Sequence, residues 1–123
     1  MSPVVRRYDH YVRDMVNAIN SILLYTKEIN YEEFTTNHLI RDAVIRNFEI
    51  LGESAKHIPF KVQKTYKHIP WRHMLSLRNF IVHEYFDIDD EILWQVIQVD
   101  LSNNRHDLQQ FLQNYEKHGW MKP

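Results

Sequence analysis

Residues 7–28 read RYDHYVRDMVNAINSILLYTKE. In this stretch Tyr8, Val12, Met15, Ile19, Ile22, Leu23 and Thr26 recur at steps of three and four, the period of one face of a helix. Arg13, Asp14, Asn17 and Asn20 fall on the opposite side. An apolar stripe with a polar back is an amphipathic helix that must bury its stripe against partners. Asn30 follows as a candidate N-cap, with Glu33 three residues on as its capping-box partner, so a short helical turn is predicted there. A second long helix is predicted from about Asn37 to His57, with Ile40, Val44, Phe48, Leu51 and Ala55 as its apolar line. Gly52 lies inside it. A glycine in a helix costs about 1 kcal/mol against alanine, and close approach of another helix is the predicted reason for it.

Pro59 ends this helix. Residues 60–68 read as one or two loose turns. Pro70 suits the first position of the next helix, which carries Trp71, Met74, Leu75, Phe80, Ile81 and Val82 and is expected to loosen near Tyr85. Asp87, Asp89, Asp90 and Glu91 then supply a cap and a negative first turn. The last helix is expected to run to about Lys117, with Leu93, Ile97, Leu101, Leu108, Phe111, Leu112 and Tyr115 inward and Gly119 as its C′ residue. Four main helices with short links predict an all-α antiparallel bundle.

Composition narrows the function. The chain has 123 residues, 44% apolar and 25% charged, which predicts a single helical domain over residues 1–123. Cysteine is absent, which removes disulfides, thiolate metal sites and cysteine nucleophiles. Two glycines, Gly52 and Gly119, cannot build a dinucleotide fingerprint or a P-loop. Apolar runs are short, and residues 1–14 lack the apolar core of a signal peptide. A cytoplasmic protein with no membrane contact is the expectation.

The net charge is −1, but it is unevenly spread. From Ser54 to His83 there is no acidic residue, while Lys56, Lys61, Lys64, Lys67, Arg72 and Arg78 occur. From Glu84 to Asn104 there is no lysine or arginine, while Glu84, Asp87, Asp89, Asp90, Glu91 and Asp100 occur. A basic stretch of this kind can follow a phosphate backbone; it is also the ordinary composition of a solvated helix face.

Eight histidines make metal binding worth testing. His83-Glu84 begins like a zinc-protease motif, but Asp87 stands at the closing position. No two histidines are four residues apart, and His68 and His73 lie about 140° apart on a regular helix. No metal and no other cofactor is expected. Glu49 and Glu53 are four residues apart, with Arg46 three before Glu49. Paired carboxylates can move protons, but the favoured reading is a surface Arg–Glu cluster, since such spacings are ordinary helix chemistry.

The informative segment is Arg78-Asn79-Phe80-Ile81-Val82-His83-Glu84-Tyr85-Phe86. Arginine followed five residues later by histidine arises by chance about 0.5 times in a chain of this composition, and about 0.03 times once Tyr85 is required. Arginine can hold a phosphate bidentately and stabilise a pentavalent transition state. Histidine titrates near neutrality and can move protons at both ends of a phosphodiester. With RNA the 2′-hydroxyl is the nucleophile, so this route needs no metal. The offset of about 140° between the two positions calls for a loosened helix end, or for two copies of the motif facing each other.

On these residues the chain resembles the HepT-like branch of the HEPN family, the toxin half of HepT–MntA toxin–antitoxin pairs. The resemblance covers nearly the whole chain. It includes Asp42 to Lys56 around Arg46, Glu49, Gly52 and Glu53, then Ile69-Pro70-Trp71-Arg72. It continues through Leu77 to Phe86 and ends at Asp90-Glu91-Ile92-Leu93-Trp94 and Val99-Asp100-Leu101. The R-x4-H-x-Y pattern is complete, and Glu84 stands where many relatives carry glycine, an extra negative charge beside the site. The resemblance implies a HEPN helical bundle forming a two-fold homodimer. Arg78 and His83 of both copies would line one cleft as the catalytic pair. It implies a metal-independent endoribonuclease that leaves a 2′,3′-cyclic phosphate. It also implies a nucleotidyltransferase antitoxin as partner, which transfers AMP to Tyr85. Added AMP would then fill the cleft and repel RNA phosphate.

Asn79, Arg46 and Glu53 are supporting candidates: Asn79 to orient phosphate, Glu53 to position Arg46 or Arg78. Each site residue also has a plain structural reading. Arg78 could be an interface arginine, His83 a helix-end histidine, and Tyr85 a packed tyrosine with its hydroxyl satisfied. A second functional reading is a non-catalytic helical dimer that holds a nucleotidyltransferase or binds nucleotide, with the acidic run from Glu84 to Glu91 as docking surface. A third is a bundle with no nucleic-acid role.

Overall fold

The computed structural model describes residues 7–83 and 88–118, and residues 79, 80, 82, 83 and 118 through their backbone alone. The described residues form helices α1 (Tyr8–Thr26), α2 (Tyr31–Thr36), α3 (His38–Lys56), α4 (Phe60–Thr65), α5 (Trp71–His83), α6 (Asp90–Gln95) and α7 (Leu101–His118). A π turn, Val96–Asp100, joins α6 to α7. No strand occurs among the described residues, so the fold is an all-α bundle.

Local chemistry sets the boundaries. Asn30 and Glu33 make the full capping box at α2: the Asn30 side chain accepts from Glu33 N–H at 2.8 Å, and Glu33 accepts from Asn30 N–H at 3.2 Å. The Asn37 side chain caps α3 by accepting from Ile40 N–H at 3.1 Å. Asp89 caps α6 by accepting from Glu91 and Ile92. Pro59 ends the α3 connection and stands as the N-cap of α4. Pro70 sits one position earlier than its sequence suggests: its carbonyl accepts from Met74 N–H at 3.1 Å, so it precedes the first helical residue, Trp71.

The helices pair antiparallel, as side-chain contacts along them show. On α1 and α7, Asn20 accepts from Arg105 at 3.0 Å, Arg13 donates to Glu116 at 3.2 Å, and the Tyr8 ring meets Tyr115 edge-on. Tyr11, early in α1, stacks on His57, just past the end of α3. Arg41, early in α3, pairs with Asp90 at 2.9 Å, while Gly52, late in α3, abuts Arg78 of α5.

One core joins all of these helices. It holds Val12, Met15, Ile19 and Ile22 of α1, Val44, Phe48 and Leu51 of α3, Met74 and Ile81 of α5, and Leu101, Leu108 and Phe111 of α7. Phe111 is the hub of an aromatic cluster, with Tyr66 at 4.6 Å and Trp71 at 5.9 Å. The Trp71 indole donates to the Tyr66 carbonyl at 3.1 Å, which satisfies its buried N–H.

Two further features were not in the sequence reading. The last helix is interrupted: Leu101 N–H donates to Val96 C=O, five residues back. Asp9 is buried at 1% exposure, held by Arg7 at 3.0 Å and Arg13 at 3.7 Å. Its charge also faces the positive end of α1. Asp87, Gly119 and the expected loosening near Tyr85 lie outside the described residues. No described helix is long and apolar enough to cross a membrane.

Candidate active site

The site begins at a helix contact that only glycine permits. A Cβ on Gly52 would collide with the Arg78 Cβ and stand 3.0 Å from its Cα and N. The backbone of α5 therefore rests directly on α3 at this point. The next residue on α3 is Glu53, whose carboxylate forms an ion pair with Arg78, 3.1 Å from its Nε. Arg78 is 28% exposed and Glu53 47%. An ion pair this accessible contributes only about 0–1 kcal/mol.

Glu53 also faces His57, with 3.9 Å between carboxylate and ring nitrogen. Arg46 lies 4.0 Å from Glu49. Positions 46, 49 and 53 follow one stripe of α3, and His57 continues it just past the helix end. That stripe, Tyr11 and Asp14 of α1, and Arg78 of α5 line a pocket of about 400 Å³. Tyr11 covers one face of the His57 ring. The pocket thus unites three of the sequence candidates, Arg78, Arg46 and Glu53, from two helices.

The remaining candidates stand differently. Asn79 and His83 follow Arg78 on α5, which stays helical through His83. Helix without a break keeps the Arg78 and His83 positions about 140° apart, so no loosening between them brings the two together. Tyr85 lies outside the described residues. Sequence reading missed Tyr11, Asp14 and His57 as pocket residues. His57 had a signal, since it stands four residues after Glu53 on the same stripe. Tyr11 had none, because only packing puts α1 beside the end of α3.

Charged side chains sort into two groups. Lys56, Lys61, Lys64, Lys67 and Arg72 are all exposed and form a solvent-facing basic run after α3. In the acidic run, Asp89 is spent on capping α6 and Asp90 on the pair with Arg41. Both serve the fold, while Glu84 and Asp87 of the same run lie outside the described residues. Among the described residues no group of three histidine or carboxylate side chains is placed to hold a metal ion.

Comparison with known proteins gives the class. The family model described as "Ribonuclease HepT-like" matches residues 15–115. "Putative RNase MJ1380" of Methanocaldococcus jannaschii is 37% identical over 91 residues, 74% of this chain and 84% of the relative. "Probable ribonuclease HepT" of Thermococcus cleftensis is 36% identical over 96 residues, 78% of this chain and 87% of the relative. No solved structure matches the chain significantly. The fold and the family match together define an α-helical HEPN-type endoribonuclease. Within that class, the chain belongs to the HepT-like ribonuclease family.

Proposed function

We propose that the chain is the toxin of a toxin–antitoxin pair, cutting RNA without a metal through Arg78 and His83 in a cleft shared by two copies of the chain. One observation supports this above the others. Arg78 is seated on Gly52 and oriented by Glu53 at a pocket, within a complete R-x4-H-x-Y motif. In the proposed reaction the 2′-hydroxyl oxygen attacks phosphorus and gives its proton to one His83. The P–O5′ bond breaks, and the leaving oxygen takes a proton from His83 of the second copy. A 2′,3′-cyclic phosphate remains. Arg78 holds the non-bridging oxygens as charge builds on them, and Asn79 and Arg46 assist in holding the RNA. Unbroken helix between Arg78 and His83 favours the two-copy arrangement, because one copy alone keeps the two positions apart. The partner is a nucleotidyltransferase antitoxin. It joins the α-phosphate of ATP to the Tyr85 oxygen, releasing pyrophosphate and the phenolic proton. The site is a cytoplasmic one, and the chain acts as a single domain.

The test is RNA cleavage in EDTA by protein whose intact mass shows no adenylyl group. Wild type should cut and leave cyclic-phosphate ends. Arg78→Ala and His83→Ala should each lose about 10²–10³-fold or more. Cleavage retained by both variants would refute the assignment. Tight binding of the nucleotidyltransferase with no cleavage by unmodified wild type would instead point to the non-catalytic dimer.

A further inference from the structure

The wall of the pocket is better suited to a flat, uncharged ring than to a second phosphate. Tyr11 and His57 lie face to face, with centroids 4.4 Å apart and planes 13° from parallel. His57 remains 43% exposed, and Glu53 stands 3.9 Å from its ring nitrogen. The imidazole is therefore oriented from two sides and still accessible to solvent. Single-stranded RNA is gripped by just such surfaces, its unstacked bases lying on aromatic rings while cations hold the phosphates.

Charge points the same way. Arg46, Arg78 and His57 share the pocket with Asp14, Glu49 and Glu53. Three carboxylates outnumber the two arginines, so away from Arg78 the pocket favours a neutral base over a second phosphate. A phosphate at Arg78 and a base at His57 divide the pocket between them. Its volume of about 400 Å³ lies within the usual range for small-ligand sites, about 300–1,000 Å³.

We propose that this pocket is a nucleobase subsite: one base of the RNA stacks on the Tyr11–His57 pair beside the phosphate held by Arg78. Purines are favoured there, because their larger ring system covers more of the imidazole. The subsite rests on the ribonuclease reading and deepens it, since it selects which nucleotide lies next to the cut. Tyr11 and His57 are positioning residues for the substrate and take no part in proton transfer.

Binding of short single-stranded RNA with 2′-O-methyl groups throughout provides the test. Such RNA offers no 2′-hydroxyl nucleophile, so binding is measured apart from cleavage. One base at a time is replaced by an abasic position, which keeps every phosphate. At one position the abasic site should weaken binding to wild type about tenfold, and a pyrimidine there should bind more weakly than a purine. The same abasic site should change binding to His57→Ala by less than about twofold, as expected when the partner of the interaction is already gone. His57→Phe should restore the sensitivity, which a hydrogen-bonding or purely structural role for the imidazole would not allow. Tyr11→Leu, with helicity checked by circular dichroism, should act in the same direction as His57→Ala. Equal abasic costs in wild type and His57→Ala at every position would overturn the subsite. If wild type still cuts unmodified RNA in that case, the ribonuclease reading stands alone. If wild type neither binds nor cuts RNA, both fall.

Discussion

Gly52 decides where the cation of the site stands. Its missing side chain lets α5 touch α3, and the contact partner is the Arg78 backbone itself. The effect of alanine at this position follows from two opposed magnitudes. In a helix, alanine gains about 1 kcal/mol over glycine. Overpacking against a neighbouring backbone costs about 1–3 kcal/mol, and here backbone atoms would have to move. Gly52→Ala should therefore lower the denaturation midpoint, and RNA cleavage should fall further than the stability loss explains, because Arg78 is displaced from Glu53. A stabilised Gly52→Ala with full activity would show that the two helices can part without consequence. The position of Gly52 inside an amphipathic helix was enough to predict a close helix contact. The identity of the residue facing it was not, because helical period says nothing about which neighbour a face meets.

Among the elements, α1 carries the most legible pattern and also an unforeseen one. Its apolar line is buried as its spacing requires, with Val12, Met15, Ile19 and Ile22 fully covered. Its first turn, however, packs Tyr8 against Tyr115 and Phe111 of α7. Burial pushes the Tyr8 hydroxyl well above its ordinary pKa of 10.0, with Tyr115, Tyr66 and Asp9 adding smaller effects in the same direction. The unfolded chain releases this proton near pH 10 while the fold retains it, so the stability contribution is complete below that pH and declines as pH rises above it. Tyr8→Phe should flatten the alkaline limb of a stability-against-pH curve relative to wild type. Parallel curves for the two proteins above pH 10 would contradict the burial of this hydroxyl. The π turn between α6 and α7 was invisible in the sequence for a related reason. The apolar positions on either side keep their three and four spacing, so the pattern reads straight through it.

At the scale of the molecule, the main question is how a histidine and an arginine about 140° apart on one helix act on one phosphate. Two chains solve the geometry if their α5 helices meet. A mixed dimer of wild type with His83→Ala keeps both arginines but only one of the two histidines that the proposed reaction uses. It should lose about 10²-fold or more of the wild-type cleavage, read on the purified heterodimer. Retention of about half the wild-type rate, with the heterodimer confirmed by mass, would show that each copy cuts by itself and would count against a shared cleft. The bundle class, the four long helices, the capping box at Asn30, a cap among Asp87 to Glu91, and the motif from Arg78 to Tyr85 were all legible in the sequence alone. Each depends on neighbours within about one or two helical turns, where period and capping chemistry act. Only the tertiary structure chose Arg78 over Arg46 as the partner of Glu53, laid Tyr11 on His57 and buried Asp9. These contacts join residues from different helices or bury a charge where packing closes over it, and their partners are chosen by how whole helix faces fit together.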